Sequence, residues 1–493
     1  MSQFISLVCG LIVPHTLLGA FGSTAYGATA SIASFLGYIT LFEGGIAAVS
    51  RSTLYKALAD KDHHSICRIV TETKQFFQKL ALAFSGYVLV LACFYSKISR
   101  KDSLDFWVTF SLVIVIAIST FGEYFIGVSY STLFQADQRT YIPTIFKIIT
   151  TILNTGMVIL LVHYRCSLII VKLASSMVYI LKPLALSVLA RRRYSLERCV
   201  EKEKLLTQKK TAIGQHIAWV LHNNTDVAVL TIMDSLSLVS VYSVYYMIVG
   251  QIDSIAKTFT SGMEALFGDM YAKKEIEQLN ATFNFYETLI SLVSVTLFSV
   301  TMVLIVPFVR LYTAHIHDAN YIVPTFGILL TIAVLMTSLR SPYGTLIIAV
   351  GHFKQTRAAA YGEAVINIVL SLLLAFRFGL IGVAIGTVVS TLYRWIFYVS
   401  YLSKNVLNRR MGAWLKRLLC NGGIVFAVVT VGDALAACFP MSNYLEWAFC
   451  AAIISILSFS VTFIIYFLLF RTDTLAIMRH FRPVRSNRAT NDL

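Results

Sequence analysis

Residues Thr40–His64 read TLFEGGIAAVSRSTLYKALADKDHH. An apolar run holds a carboxylate, Glu43, followed by Gly44 and Gly45, then a guanidinium, Arg51, before it breaks into charge. On one continuous helix Glu43 and Arg51 are about 12 Å apart along the axis and roughly 80° apart around it, so they share a side without pairing directly. The glycines let a neighbouring backbone approach, or let the helix bend. Charges in such a run imply a helix that is apolar on one side and wetted on the other.

The rest of the chain agrees. Its 493 residues are 57% hydrophobic and only 13% charged, and its mean hydropathy is +0.73. Soluble domains carry about 25% charge, so the surrounding solvent is lipid. Scanning for spans of about 20 apolar residues predicts fourteen helices, near 4–21, 27–50, 76–95, 106–133, 141–163, 167–190, 216–236, 239–262, 284–308, 321–350, 358–376, 379–402, 417–439 and 445–470. The fold class is an all-α polytopic membrane protein. The eight cysteines stand singly with no metal spacing, and no metal site is expected. The first residues, MSQFISLVCGLIVPH, lack the basic start of a signal peptide and are read as a retained span.

The formal charge of +16 sorts to one side of these spans. Roughly thirty of the 41 Lys and Arg fall on one side, chiefly after helices two, six and twelve and in the tail; about six fall opposite, mainly Lys97, Arg100, Lys101, Arg165, Arg310 and Arg377. Both termini are therefore expected in the cytoplasm. The basic charge is accounted for without nucleic acid, which is not expected as a partner.

The chain also echoes itself. Tyr26-Gly27-Ala28 faces Tyr242-Ser243-Val244, and Tyr55 faces Tyr271 at the same offset. Ala136–Asn154 resembles Val350–Asn367, each with an Asn near its end. The expected organisation is two six-helix lobes, 1–190 and 216–403, as parallel repeats. A basic linker (191–215), two added helices (404–470) and a basic tail (471–493) complete it.

A charge at the bilayer centre costs about 2.5–3.5 kcal/mol on insertion scales, so intramembrane polar groups are the candidate site residues. They are His15, Glu43, Arg51, Asn223, Asn224, Asp226, Asp253, Lys257, Glu264, Arg340 and Glu363. Asp253, Lys257 and Glu264 recur at spacings of four and seven, one stripe of a single helix, although Asp253–Lys257 also fits a simple ion pair. Lys182, Asp234 and Arg394 are read as snorkelling to the interface. His15 fits either a protonatable switch or a core histidine with a backbone partner.

Three segments carry a resemblance. GLIVPHTLLGAFGSTAYGATASIASFLGYITLFEGGIAAVSRSTLYKALADKD (Gly10–Asp62), HNNTDVAVLTIMDSLSLVSVYSVYYMIVG (His222–Gly250) and GHFKQTRAAAYGEAVIN (Gly351–Asn367) resemble bacterial O-antigen and capsule repeat-unit flippases. These belong to the multidrug/oligosaccharidyl-lipid/polysaccharide exporter superfamily, and the likeness spans roughly residues 8–405. It implies two lobes around a cavity, no enzymatic activity, and alternating access. Undecaprenyl-pyrophosphate-linked oligosaccharide would move from the inner to the outer leaflet of the cytoplasmic membrane, for surface polysaccharide synthesis. It further implies that Arg51 and Lys257 hold the pyrophosphate, with membrane lipid, a polysaccharide polymerase and glycosyltransferases as partners. No cofactor is implied, and Na+ or H+ coupling is left open. His15 departs from the permanent cation that similar proteins often carry after the helix-one proline. Two other readings stay open: a drug or cation exporter of the same superfamily, and a membrane glycan polymerase or ligase.

Reporter fusions within 191–215 are expected to report a cytoplasmic location, and fusions within 309–320 the opposite side. The inverse pattern would overturn the charge-based orientation.

Overall fold

The computed structural model describes residues 2–43, 45–99, 104–194, 213–233, 235–258 and 262–480. Among these the regular structure is helical throughout, and eleven helices are long and apolar enough to cross a membrane. The expected linker and tail fall partly outside the described residues, at 195–212 and 481–493.

In chain order the helices are α1 (Ser2–Gly37), α2 (Ile46–Ala59), α3 (His63–Ile98), α4 (Phe106–Gly122), α5 (Val128–Ala136), α6 (Tyr141–His163), α7 (Leu168–Tyr194) and α8 (Ile213–Met233). They continue with α9 (Leu236–Lys257), α10 (Met263–Ala272), α11 (Ile276–Tyr312), α12 (Pro324–Ala349), α13 (Phe353–Asn405), α14 (Met411–Ala436), α15 (Tyr444–Leu469) and α16 (Arg471–His480).

Eleven and fourteen are reconciled by length. At 1.5 Å per residue a straight α13 would be about 80 Å long, far more than a hydrocarbon core of about 30 Å. It breaks at Gly379, where φ is 51° and ψ is −125°, so it supplies two of the expected spans. Likewise α1 is interrupted at Gly22 and joins the first expected span to the start of the second. Helix α8 counts among the shorter apolar helices, through its Asn224–Met233 part.

The expected span 27–50 needs correction. Helix α1 ends at Gly37, a 3₁₀ turn covers Tyr38–Phe42, and α2 starts at Ile46. Gly45, at φ 74°, adopts a conformation that side-chain-bearing residues rarely reach. Glu43 and Arg51 thus lie on opposite sides of a break rather than on one helix. Glu264 is likewise separated from Asp253 and Lys257, because α9 ends at Lys257 and α10 begins at Met263. The three do not form a continuous stripe.

Local rules set other ends. Asp62 accepts hydrogen bonds from the N–H groups of His64 and Ser65, both 3.1 Å, and caps α3. Asn443 and Glu446 form a reciprocal cap at α15, with bonds of 2.9 Å to Glu446 N and 2.7 Å from Ser442 N.

The chain folds as two compact units. The first comprises Met1–Gln251, Phe308–Ala333 and Phe353–Arg394. Its core includes Ile32, Leu36, Phe77, Phe84, Tyr95 and Leu112, and a second cluster joins Leu54, Phe134 and Leu186. The other unit comprises Ile252–Pro307, Val334–His352 and Trp395–Leu493, where Val303 and Leu304 pack on Cys450 and Ile454.

An ionic cluster fastens the second unit. Arg409 holds Glu287 through two bonds of 2.8 and 3.1 Å, and Tyr343 donates to the same carboxylate. Arg417 approaches Glu287 at 3.4 Å and binds Asp473 of α16 at 2.7 Å and Thr288 at 2.7 Å. Glu287, Arg409 and Arg417 are not among the candidates drawn from the sequence.

Glu287→Ala strands the largely buried Arg409 guanidinium and leaves Arg417 with Asp473 as its carboxylate partner. Such removal costs about 3–5 kcal/mol. A marked drop in melting temperature of the purified protein is expected, and an unchanged melting curve would show the cluster to be dispensable.

Candidate functional site

Arg51 sits on α2, about two turns before the charged end of that helix. It is half-buried, and its Nη1 donates to Gln135 Oε1 of α5 at 2.9 Å. Gln135 is neutral, and no carboxylate pairs with Arg51 among the described residues. The guanidinium is therefore positioned yet keeps its full positive charge. Just before the break, Glu43 accepts a 2.5 Å bond from the Tyr124 hydroxyl. A phenol positions that carboxylate, so it is not drawn onto Arg51. Nearby, Ser50 and Thr73 share a 2.8 Å hydroxyl bond that ties α2 to α3.

Lys257 closes α9 and forms an ion pair of 2.5 Å with Asp253. The i,i+4 alternative thus describes this contact. The lysine side chain is 45% exposed while Asp253 is 15% exposed, so the ammonium remains reachable beside its partner. Asp253 Oδ1 is buried without a hydrogen bond. Glu264 is exposed in the first turn of α10, where a negative charge complements the helix dipole. Arg340 is buried, with its guanidinium 6.0 Å from the Tyr398 ring centroid.

His15 Nδ1 lies 3.0 Å from the Tyr312 carbonyl, and the Tyr312 hydroxyl donates to Leu11 O at 2.6 Å. A carbonyl accepts only, so Nδ1 carries a hydrogen. The histidine has the backbone partner that one of its two readings required. The Asn223 side chain lies outside the described residues. Asn224 Nδ2 donates to Val220 O at 2.9 Å, and Ser34 donates to Asn224 Oδ1 at 3.3 Å, so the side chain links α8 to α1.

Asp226 is buried at 3% exposure. Its carboxylate accepts from Tyr242 at 3.0 Å, Thr387 at 2.9 Å and Asn367 Nδ2 at 3.4 Å. Asn367 Nδ2 also reaches Thr387 Oγ1 at 3.2 Å, and Ser371 donates to Val383 O at 3.5 Å. The Asn367 Oδ1 is buried with no partner, as is Oδ1 of Asn154, its counterpart in the echoed segment. Tyr242, Asn367 and Thr387 are not candidates from the sequence, although the repeated asparagine points to one of them. Among the described residues no cluster of three or more His, Cys, Asp and Glu is arranged for a metal ion.

Glu363 is fully buried and paired with Arg394. Arg394 therefore does not snorkel; it crosses from one arm of α13 to the other. Lys182 also meets a partner, Glu123, at 2.9 Å. That carboxylate opens a π-helical turn, Glu123–Gly127, within the span that begins with α4. A π turn is a common distortion at functional sites.

No protein-family model and no curated protein matches the chain. Solved structures share its fold. The inward closed conformation of the lipid II flippase MurJ superposes with a TM-score of 0.66 at 14% identity, covering 96% of this chain and 98% of that one. A multidrug resistance MATE family transporter of the MOP superfamily, in its inward-facing conformation, gives 0.62 at 12% identity, covering 82% and 95%. At such identities the likeness is one of fold: a polytopic helical membrane protein of the MurJ and MATE type.

Proposed function

We propose that this chain is a flippase. It carries undecaprenyl-pyrophosphate-linked oligosaccharide from the inner to the outer leaflet of the bacterial cytoplasmic membrane by alternating access. The observation that carries this reading is Arg51, a guanidinium held by a neutral amide and left without a balancing carboxylate. A diphosphate faces a prohibitive desolvation cost in hydrocarbon. A pre-positioned guanidinium offsets that cost through paired, charge-assisted hydrogen bonds. Lys257 is a further cation for the headgroup. Its exposed ammonium exchanges Asp253 for phosphate when the cargo arrives, and the polyprenyl chain stays in lipid.

The full-length likeness to a protein that is by name a lipid II flippase supports the lipid-linked class of cargo. Glycosyltransferases would build that cargo and a polymerase would consume it; the chain itself makes no bond. The drug-exporter reading relies on accessible acidic groups. Asp226 and Glu363, two of the acidic residues it invokes, are buried against protein donors. They are too enclosed for a bulky organic cation.

Asp226 suits a small ion instead. Its neighbours include the hydroxyl oxygens of Tyr242 and Thr387, and the Asn367 amide, which presents its Nδ2. A carboxylate beside hydroxyl oxygens suits a hard monovalent cation or a proton. Turning the Asn367 amide over would bring its unpaired Oδ1 toward the carboxylate. Sodium or proton exchange here would energise the cycle.

In cells that depend on this chain for surface polymer, Arg51→Ala combined with Lys257→Ala is expected to stop export and to accumulate the lipid-linked intermediate at normal protein levels. Unchanged export and turnover would reject both headgroup assignments. Sodium, against choline, is expected to raise the melting temperature of the purified protein, by an amount equivalent to about 2.7 kcal/mol at a hundredfold excess over Kd. Asp226→Asn should abolish that gain. A melting temperature that follows pH but ignores sodium would assign the coupling to protons.

A further inference from the structure

We propose that the pocket at the C-terminal end of α11 binds a phosphate-class anion. This cavity of about 330 Å³ is lined by Arg310, Thr313, His317 and Asn320, together with small and apolar neighbours. It lies at the end of the spans opposite the basic linker, where only about six of the 41 Lys and Arg fall. A cation there is not explained by the charge bias that orients the chain.

The wall of the pocket is preorganised. Asp318 accepts from Ser23 N at 2.7 Å and from Ser23 Oγ at 2.5 Å, so its carboxylate is engaged with α1. The Tyr321 hydroxyl bridges Ser23 and Ser240, each at 2.6 Å, and the Tyr321 carbonyl accepts from Tyr245 at 2.9 Å. Asn320 Oδ1 takes the Ile322 N–H at 3.0 Å, which leaves its Nδ2 hydrogens free. Thr313 Oγ1 donates to Val309 O.

The groups left over are donors. Arg310 and Asn320 Nδ2 have no acceptor among the described residues, and the His317 ring is exposed. A cation in the last turn of a helix ordinarily serves the terminal carbonyls. Here the carbonyls of Val309, Leu311 and Tyr312 are already taken by Thr313, Ala314 and His15. A fork-shaped guanidinium, an amide and an imidazole around one small polar cavity match the oxygens of a phosphate or diphosphate. The anion can be borne by a lipid headgroup or be free. Only the case of the translocated diphosphate rests on the flippase reading; the class of anion does not.

Hydrogen–deuterium exchange of the full-length protein in nanodiscs tests this locally. In neutral phosphatidylcholine discs, inorganic pyrophosphate is expected to slow exchange over 313–323. That protection should be lost in Arg310→Gln, reduced in His317→Gln, partly retained in Arg310→Lys and unaffected by Arg51→Gln. Protection in phosphatidylglycerol discs without pyrophosphate would assign the anion to a lipid headgroup. Protection by pyrophosphate alone would assign it to a diphosphate. No protection by either, or protection that survives Arg310→Gln with exchange elsewhere unchanged, overturns the proposal. Because Arg51→Gln disables the proposed headgroup cation and not this pocket, failure of one leaves the other standing.

Discussion

In hydrocarbon, a charge must be paired, hydrated or neutralised. The carboxylates of this chain meet that demand in different ways. Glu287 takes two guanidinium groups and a phenol, and becomes a fastener. Glu363 takes Arg394 and joins the arms of one hairpin. Asp226 accepts from uncharged donors, Tyr242, Thr387 and Asn367.

Cations divide along the same line. Arg394, Arg409 and Arg417 are consumed by carboxylates. Lys257 is paired but reachable. Arg51 is held by an amide that orients it without neutralising it. Positioning without charge cancellation is what an anion-binding residue needs, because a paired guanidinium must first lose its partner. The break around Gly45 contributes to this arrangement. It ends the 3₁₀ turn that places Glu43 near Tyr124 and starts a new helix whose direction brings Arg51 to Gln135.

The span pattern is readable because lipid demands long apolar runs, and the length of each run is a local property. Helix breaks are readable less often. Gly379 is the first residue of an expected span, at its junction with the one before, whereas the interruptions between Phe42 and Ile46 and between Lys257 and Met263 fall inside expected spans. A glycine within an apolar run is tolerated in membrane helices, so its presence does not announce a break. The Asp253–Lys257 contact is one of two legible alternatives, since spacing on a helix limits it. The partners of Asp226 come from residues more than a hundred positions away, except for Tyr242. Spacing rules do not reach that far.

The sequence by itself determined the solvent, the helical class and some of the polar groups that stand within apolar runs, while Glu287 and Asn367 escaped it. What it determined follows from composition and local periodicity, which depend on near neighbours along the chain. Only the tertiary structure decided which of those groups cancel one another. Whether Arg394 meets water or Glu363, and whether Arg51 meets a carboxylate or an amide, is fixed by helices packed from distant parts of the chain. Electrostatic energy depends on separations of a few ångströms in space, and those separations are not set by position in sequence.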